Sequence, residues 1–119
     1  MQRKLSAKDH DELFGKTSHM PHVIAYALMN SLYQDLGEKT FLYSGGSLED
    51  YTRIASSDPV MWKDIIVSND ISILNSIESF KKSLDELSGL IDSKNATGLI
   101  EFFSSVKIAR DKSILGKED

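Results

Sequence analysis

Six apolar residues, Ile73, Ile77, Phe80, Leu84, Leu87 and Ile91, follow one another at steps of four and three in strict alternation. That spacing lays all six along one stripe of an α-helix, whereas a β-strand would split them between its two faces. Lys81, Lys82, Asp85 and Glu86 fill the opposite face, and Asn69 or Asp70 supplies a cap at the start. The same rhythm runs through nearly the whole chain. Only two prolines and seven glycines interrupt 119 residues, and the apolar–polar alternation of strands is almost missing. The fold class this implies is all-α, a bundle of about five to six helices.

A second helix is expected from about Ser18 or Pro21 to Leu36, with Gly37 as its stop. Within it, Val23-Ile-Ala-Tyr-Ala-Leu-Met29 is apolar on every side, so this helix needs cover all round. A chain this short has few elements to provide it. Either the helix lies at the centre of the fold or a partner subunit covers it. Ahead of it, Ser6-Ala-Lys-Asp9 reads as a cap followed by an acidic first turn, opening a short helix to about Thr17. Ser47-Leu-Glu-Asp50 repeats that logic and opens a helix to about Ser56. Asp58-Pro59 pairs a cap with a first-turn proline and starts a helix to about Ser68. Asn95 opens the last, which runs to about Lys112 and packs Leu99, Phe102, Phe103, Val106 and Ile108. No repeat or linker divides the chain, so one domain is expected over 1–119, frayed at about 1–5 and 113–119.

Composition narrows the functions available. Eighteen acidic and fourteen basic side chains give a net charge of −4, which argues against a nucleic-acid surface or an anionic membrane as the main partner. With no cysteine, disulfides, thiolate metal sites and a cysteine nucleophile are excluded. No apolar run reaches the roughly 20 residues that span a bilayer, and the first residues lack the apolar core of a signal peptide. The expected setting is cytoplasmic.

Few residues stand out chemically. The segment Gly37-Glu-Lys-Thr-Phe-Leu-Tyr-Ser-Gly-Gly-Ser47 fits no helix, and its Gly45-Gly46 pair precedes a capped one. Such a turn either is a plain loop or brings bare backbone N–H groups to an anion. His10, His19 and His22 lie within thirteen positions, and His19 and His22 would share a face if their helix is unbroken at Pro21. A zinc site needs a third ligand and a second shell, and no His-Glu-x-x-His is present; no metal is expected. His10-Asp11 is similar to the metal-binding dipeptide of helical HD-type phosphohydrolases, but no histidine precedes it to complete their pattern. Arg53, one of three arginines, sits between apolar neighbours in Tyr51-Thr-Arg-Ile-Ala55. It either offers a bidentate fork to a carboxylate or pairs with Glu49 or Asp50 at the surface. Trp62, the single tryptophan, reads as a core anchor. No G-x-G-x-x-G, P-loop or Ser-His-Asp triad can be assembled.

Three segments in order carry a resemblance: His10-Asp-Glu-Leu-Phe-Gly-Lys-Thr-Ser-His-Met-Pro-His22, Gly45-Gly-Ser-Leu-Glu-Asp-Tyr-Thr-Arg-Ile-Ala55 and Ser57-Asp-Pro-Val-Met-Trp-Lys-Asp64. Together they resemble the C-terminal helical domain of prephenate dehydrogenases, over about residues 9 to 112. The resemblance implies helices intertwined with those of a second subunit in a homodimer. It also implies a share in the oxidative decarboxylation of prephenate to 4-hydroxyphenylpyruvate with NAD or NADP, a step towards tyrosine, with tyrosine a candidate inhibitor. It maps a substrate-carboxylate contact onto Arg53, a substrate contact onto His22 and a pocket-closing contact onto Gly46. Ser18, Asp50 and Trp62 match further positions around that pocket. The family's dinucleotide-binding domain and its catalytic histidine do not match anything in these 119 residues, so no catalytic or cofactor-binding residue is assigned here. The chain is expected to be inactive alone. The alternative is a stand-alone helical dimerisation or interaction module without catalysis.

Overall fold

The computed structural model describes residues 5–117. Six α-helices account for most of them: α1 Ala7–Phe14, α2 Met20–Leu36, α3 Gly46–Thr52, α4 Pro59–Ser68, α5 Asp70–Asp92 and α6 Ala96–Lys117. No strand occurs among the described residues, and the chain is all-α as its periodicity requires. It divides into two compact units, Met1–Ile77 and Glu78–Asp119.

In the first unit, Ser6 caps α1 by accepting from the Asp9 N–H at 3.1 Å. The break expected near Thr17 is not there. Gly15–His19 form a π turn that carries α1 directly into α2, closed by the Met20 N–H on the Gly15 carbonyl. A proline ring clashes with the carbonyl four residues earlier in a regular helix, and the wider π turn relieves that clash just before Pro21. Pro21 then lies in the first turn of α2, where its missing N–H matters least. Gly37 ends α2 at φ 60, a backbone conformation that suits glycine. α2 packs against α3 and against the 3₁₀ turn Arg53–Ser56. Its Tyr26 hydroxyl donates to the Ser57 carbonyl at 2.9 Å, which pins that turn to the helix.

Two other boundaries differ from the sequence reading. Gly45, not Ser47, stands at the N-cap of α3, and α3 tightens into the 3₁₀ turn after Thr52 instead of running on to Ser56. Thr52 is buried, and its hydroxyl turns back to the Leu48 carbonyl at 2.8 Å. Asp58 caps α4 as expected, accepting from the Met61 N–H at 3.3 Å. Asn69 alone separates α4 from α5. Its carbonyl accepts from the Ile73 N–H, but its side chain does not cap α5.

The buried apolar residues among those described are Ala25, Trp62 and Ile73, at 2%, 7% and 2% exposure. They are joined by buried Thr40, Thr52, Asn69 and Ser76, and no buried side-chain polar atom lacks a partner among the described residues. Gly15 is also buried. A Cβ there would stand 3.2 Å from the Ser72 Cβ and 3.3 Å from Asn69 Nδ2, so the π turn approaches the start of α5 closely.

The second unit holds the later part of α5 and all of α6. The turn between them closes with the Asn95 N–H on the Leu90 carbonyl and Lys94 at φ 52, a left-handed helix stop. Asn95 then caps α6 by accepting from the Gly98 N–H at 2.9 Å. α6 continues to Lys117, five residues past the expected end; of the ends expected to fray, residues 1–4 and 118–119 lie outside those described. Leu99 and Phe102 are half-buried. The expected packing of Phe103, Val106 and Ile108 is not found: they are more than half exposed, as are Leu84 and Ile91 on α5. Two helices can each cover only one side of the other, so these side chains have no cover within their own unit.

Among the described residues Ile73 is the one large side chain withdrawn almost wholly from water. Ile73→Ala is expected to cost about 2–5 kcal/mol through lost burial and the cavity it leaves, read as a lowered urea midpoint. Ile100→Ala, at a residue 66% exposed, is expected to be far milder in the isolated chain.

Candidate binding site

The π turn and the first turn of α2 bring Ser18, His19 and His22 to one side, and the two imidazoles meet there on Trp62. The His22 ring stacks on the indole, with centroids 3.8 Å apart and planes 18° from parallel. His19 meets the same indole edge-on at 6.0 Å and 79°. Stacked and edge-to-face contacts of this kind add to the area that the rings bury. Trp62 comes from α4, so its burial ties α4 to the start of α2. The same contact makes it both a core residue and a candidate site residue. His22 Nδ1 lies 2.9 Å from the Ser18 carbonyl oxygen, so Ser18 contributes backbone to this arrangement.

Arg53 stands exposed at the head of the 3₁₀ turn that Tyr26 pins to α2. Pairing with Glu49 or Asp50 is not observed; among the described residues Arg53 enters no ion pair, though both carboxylates are near in sequence. Its guanidinium is therefore available to an anion. Asp50 is exposed on α3, and Gly46 is exposed at the first residue of that helix. A Cβ at either Gly45 or Gly46 would meet nothing within 4 Å, so open space, not tight packing, surrounds these backbone groups. His22, Ser18 and Trp62 are thus in direct contact. Arg53, Gly46 and Asp50 lie on the two segments packed against α2, and among the described residues no hydrogen bond or ion pair joins them to that group.

His10 stands apart from the other histidines. Its ring lies against Phe14 on α1, centroids 4.5 Å apart, and its Nδ1 is 3.6 Å from the exposed Asp11 carboxylate. The sequence reading overlooked Asn69 as anything but a cap. Its buried amide Nδ2 donates to the Asp11 carbonyl at 2.8 Å and lies 3.2 Å from His19 Nδ1. A polar side chain between two helices gives no periodic signal that would have marked it.

His19 is held below the ordinary histidine value. Burial is the largest cause; the charges of His22 and His10 act in the same direction, and the Asp11 carboxylate opposes them. The folded state therefore binds a proton at His19 less readily than the unfolded chain, whose histidines titrate near about 6.5. The stability this represents is complete above that value and is lost as the pH falls from there through the folded-state value. His19→Asn keeps an acceptor near the Nδ1 position and cannot titrate. It is expected to flatten the loss of thermal stability between about pH 7.5 and 5. Equal slopes for variant and wild type would contradict the assignment.

Residues 6–105 match the family model described as prephenate dehydrogenase, dimerization domain. The chain is 38% identical over 109 residues to the cyclohexadienyl dehydrogenase of Zymomonas mobilis, covering 89% of this chain and 37% of that protein. It is 30% identical over 110 residues to the prephenate dehydrogenase of Bacillus subtilis, covering 91% and 30%. Among solved structures it superposes, with a TM-score of 0.85 and 40% identity, on the prephenate dehydrogenase of Aquifex aeolicus in complex with hydroxyphenyl propionate and NAD+. That match covers 92% of this chain and 39% of the other. The chain therefore spans between three-tenths and two-fifths of the length of these proteins.

Proposed function

The chain belongs to the prephenate dehydrogenase family, as its dimerization domain, and from that premise we propose that it binds substrate and pairs with a second copy in an NAD-dependent prephenate dehydrogenase. The observation that carries the substrate reading is the His22–Trp62 stack, with an arginine on the neighbouring turn that enters no ion pair among the described residues. Prephenate bears two carboxylates and a planar six-membered ring. Arg53 supplies a fork for one carboxylate, and a charged hydrogen bond of that kind contributes about 1.5–3 kcal/mol net. His22, held against Trp62 and by the Ser18 carbonyl, keeps Nε2 for a second polar group of the ligand. Gly46 and Asp50 border the same region from α3, the glycine through its backbone.

The chain's own residues do not suit a dinucleotide. The described residues form helices and turns, with no strand leading into a glycine-rich turn that could take a pyrophosphate. NAD, bound elsewhere in the enzyme, would accept the hydride. The part assigned to this chain is to hold and orient the acid and to shield it from water. No helix among the described residues is long and apolar enough to cross a membrane.

Pairing with a second copy is supported by the apolar faces left open. Leu84, Ile91, Ile100, Phe103, Val106 and Leu115 are all more than half exposed. Apolar side chains in this number on two adjacent helices mark a surface that association covers. A homodimer covers them with an identical set.

Trp62 is the only tryptophan, so its emission reports on the site directly. Titrating prephenate or hydroxyphenyl propionate into the chain is expected to change that emission saturably. Arg53→Ala should weaken the response by about tenfold to a hundredfold, the loss of one charged hydrogen bond. An Arg53→Ala variant that binds as wild type does would refute the role of Arg53. Emission indifferent to every one of these acids would favour a helical module without a substrate.

A further inference from the structure

Asn69 carries chemistry that a junction between two helices does not need. It is 8% exposed, and its Nδ2 lies 2.8 Å from the Asp11 carbonyl oxygen. A backbone carbonyl can only accept, so the amide has to turn its NH2 group, not its oxygen, toward α1. The same nitrogen lies 3.2 Å from His19 Nδ1. With an N–H directed at it, His19 Nδ1 must present a lone pair, and the ring proton sits on Nε2. Three residues on, His22 meets the reverse demand. Its Nδ1 is 2.9 Å from the Ser18 carbonyl oxygen, which accepts, so Nδ1 bears the proton and Nε2 keeps the lone pair.

We infer that Asn69 is a positioning residue of the substrate site. By fixing His19 in the Nε2–H form it opposes the tautomers of the two imidazoles on Trp62, and leaves His22 Nε2 as the nitrogen of the pair that takes or shares a proton. Without that constraint His19 could offer either nitrogen to a ligand, while His22 would still be held by the Ser18 carbonyl. A proton added at His19 Nδ1 would set one N–H against another and break the contact with Asn69. The groups acting on His19 are His22 on its own helix and Asp11 and His10 on α1; the two histidines disfavour its cation and the Asp11 carboxylate favours it, with burial outweighing each. The result is a site of defined polarity: a fixed donor at His19 Nε2, and an acceptor or proton carrier at His22 Nε2.

Long-range ¹H–¹⁵N spectra of the imidazole nitrogens in the full 119-residue chain read the tautomers directly. Wild type is expected to show His19 protonated at Nε2 and His22 at Nδ1. Asn69→Asp puts an acceptor where the donor was. It is expected to move His19 to the Nδ1–H form or to the imidazolium, a change of about tenfold or more in tautomer ratio, with its titration displaced upward. Asn69→Ser provides a second variant should the aspartate fail to fold, and it should leave His19 in mixed tautomers. An Nδ1–H His19 in wild type, or an unaltered His19 in a folded variant, overturns the inference. A purely structural Asn69 would change thermal stability without changing the tautomer.

The inference rests on the substrate reading of His22, but these spectra need no ligand, so the two fail separately. On adding hydroxyphenyl propionate, movement of the His22 signals with His19 still in its Nε2–H form supports both. Movement of His19 into its Nδ1–H form would overturn the inference. Opposed tautomers in a chain whose His22 ignores the acid would sustain the inference and sink the substrate reading.

Discussion

A helical chain of 119 residues has to bury enough apolar surface to offset the entropy of ordering it. Forty per cent of the residues are hydrophobic, yet Ala25, Trp62 and Ile73 are the buried ones among those described. The conformational entropy of ordering a domain is offset mainly by such burial, and three residues cannot supply it. The α5 stripe shows where the shortfall lies. Its first member, Ile73, is 2% exposed, whereas Leu84 and Ile91 further along are 51% and 59% exposed. Ile77 and Leu87 are half-buried, so the stripe is fully covered at Ile73 and only in part beyond it, which leaves apolar surface for something else to meet. The proposed second copy meets that need with the same residues, and the family model that matches the chain is described as a dimerization domain.

Within the first unit, the little burial there is coincides with the site. Trp62 is a buried residue that meets both histidines of the α1–α2 passage, His22 stacked and His19 edge-on, and in the proposed function it also borders the ligand. The π turn makes this possible. It lets the helix pass Pro21 unbroken, which keeps His19 and His22 on one side of α2, and its buried Gly15 lets the start of α5 come close. Asn69 fills the space thus created and bonds to both the Asp11 carbonyl and His19. Backbone geometry therefore reaches the site through one amide, and a buried polar link of this kind fixes orientation more than it adds stability.

Much of the fold could be read from the residues alone, and the exceptions have physical causes. Ser6, Gly37, Asp58 and Asn95 act as the caps and stops that local hydrogen bonding makes of such residues. The continuity of α1 and α2 was not legible, since Pro21 argues for a break and no residue pattern announces a π turn. Burial along α6 was misjudged at Phe103, Val106 and Ile108 because periodicity tells which residues share a face, not whether anything covers it. For the candidate site, the roles given to His22, Trp62, Arg53 and Gly46 come from the ordered segments that resemble the family, not from spacing. Asn69 escaped because its partners, at sequence separations of 58 and 50, are joined to it only by the fold.

If a second copy covers the open faces of α5 and α6, these helices are half of an interface. Sedimentation equilibrium of the purified chain at micromolar concentration tests it most directly. The expected mass is twice the 13.3 kDa of one chain, with replacement of Phe103 and Ile100 by charged residues shifting it to the single-chain value. A chain that sediments as a folded 13.3 kDa monomer at every concentration would contradict it.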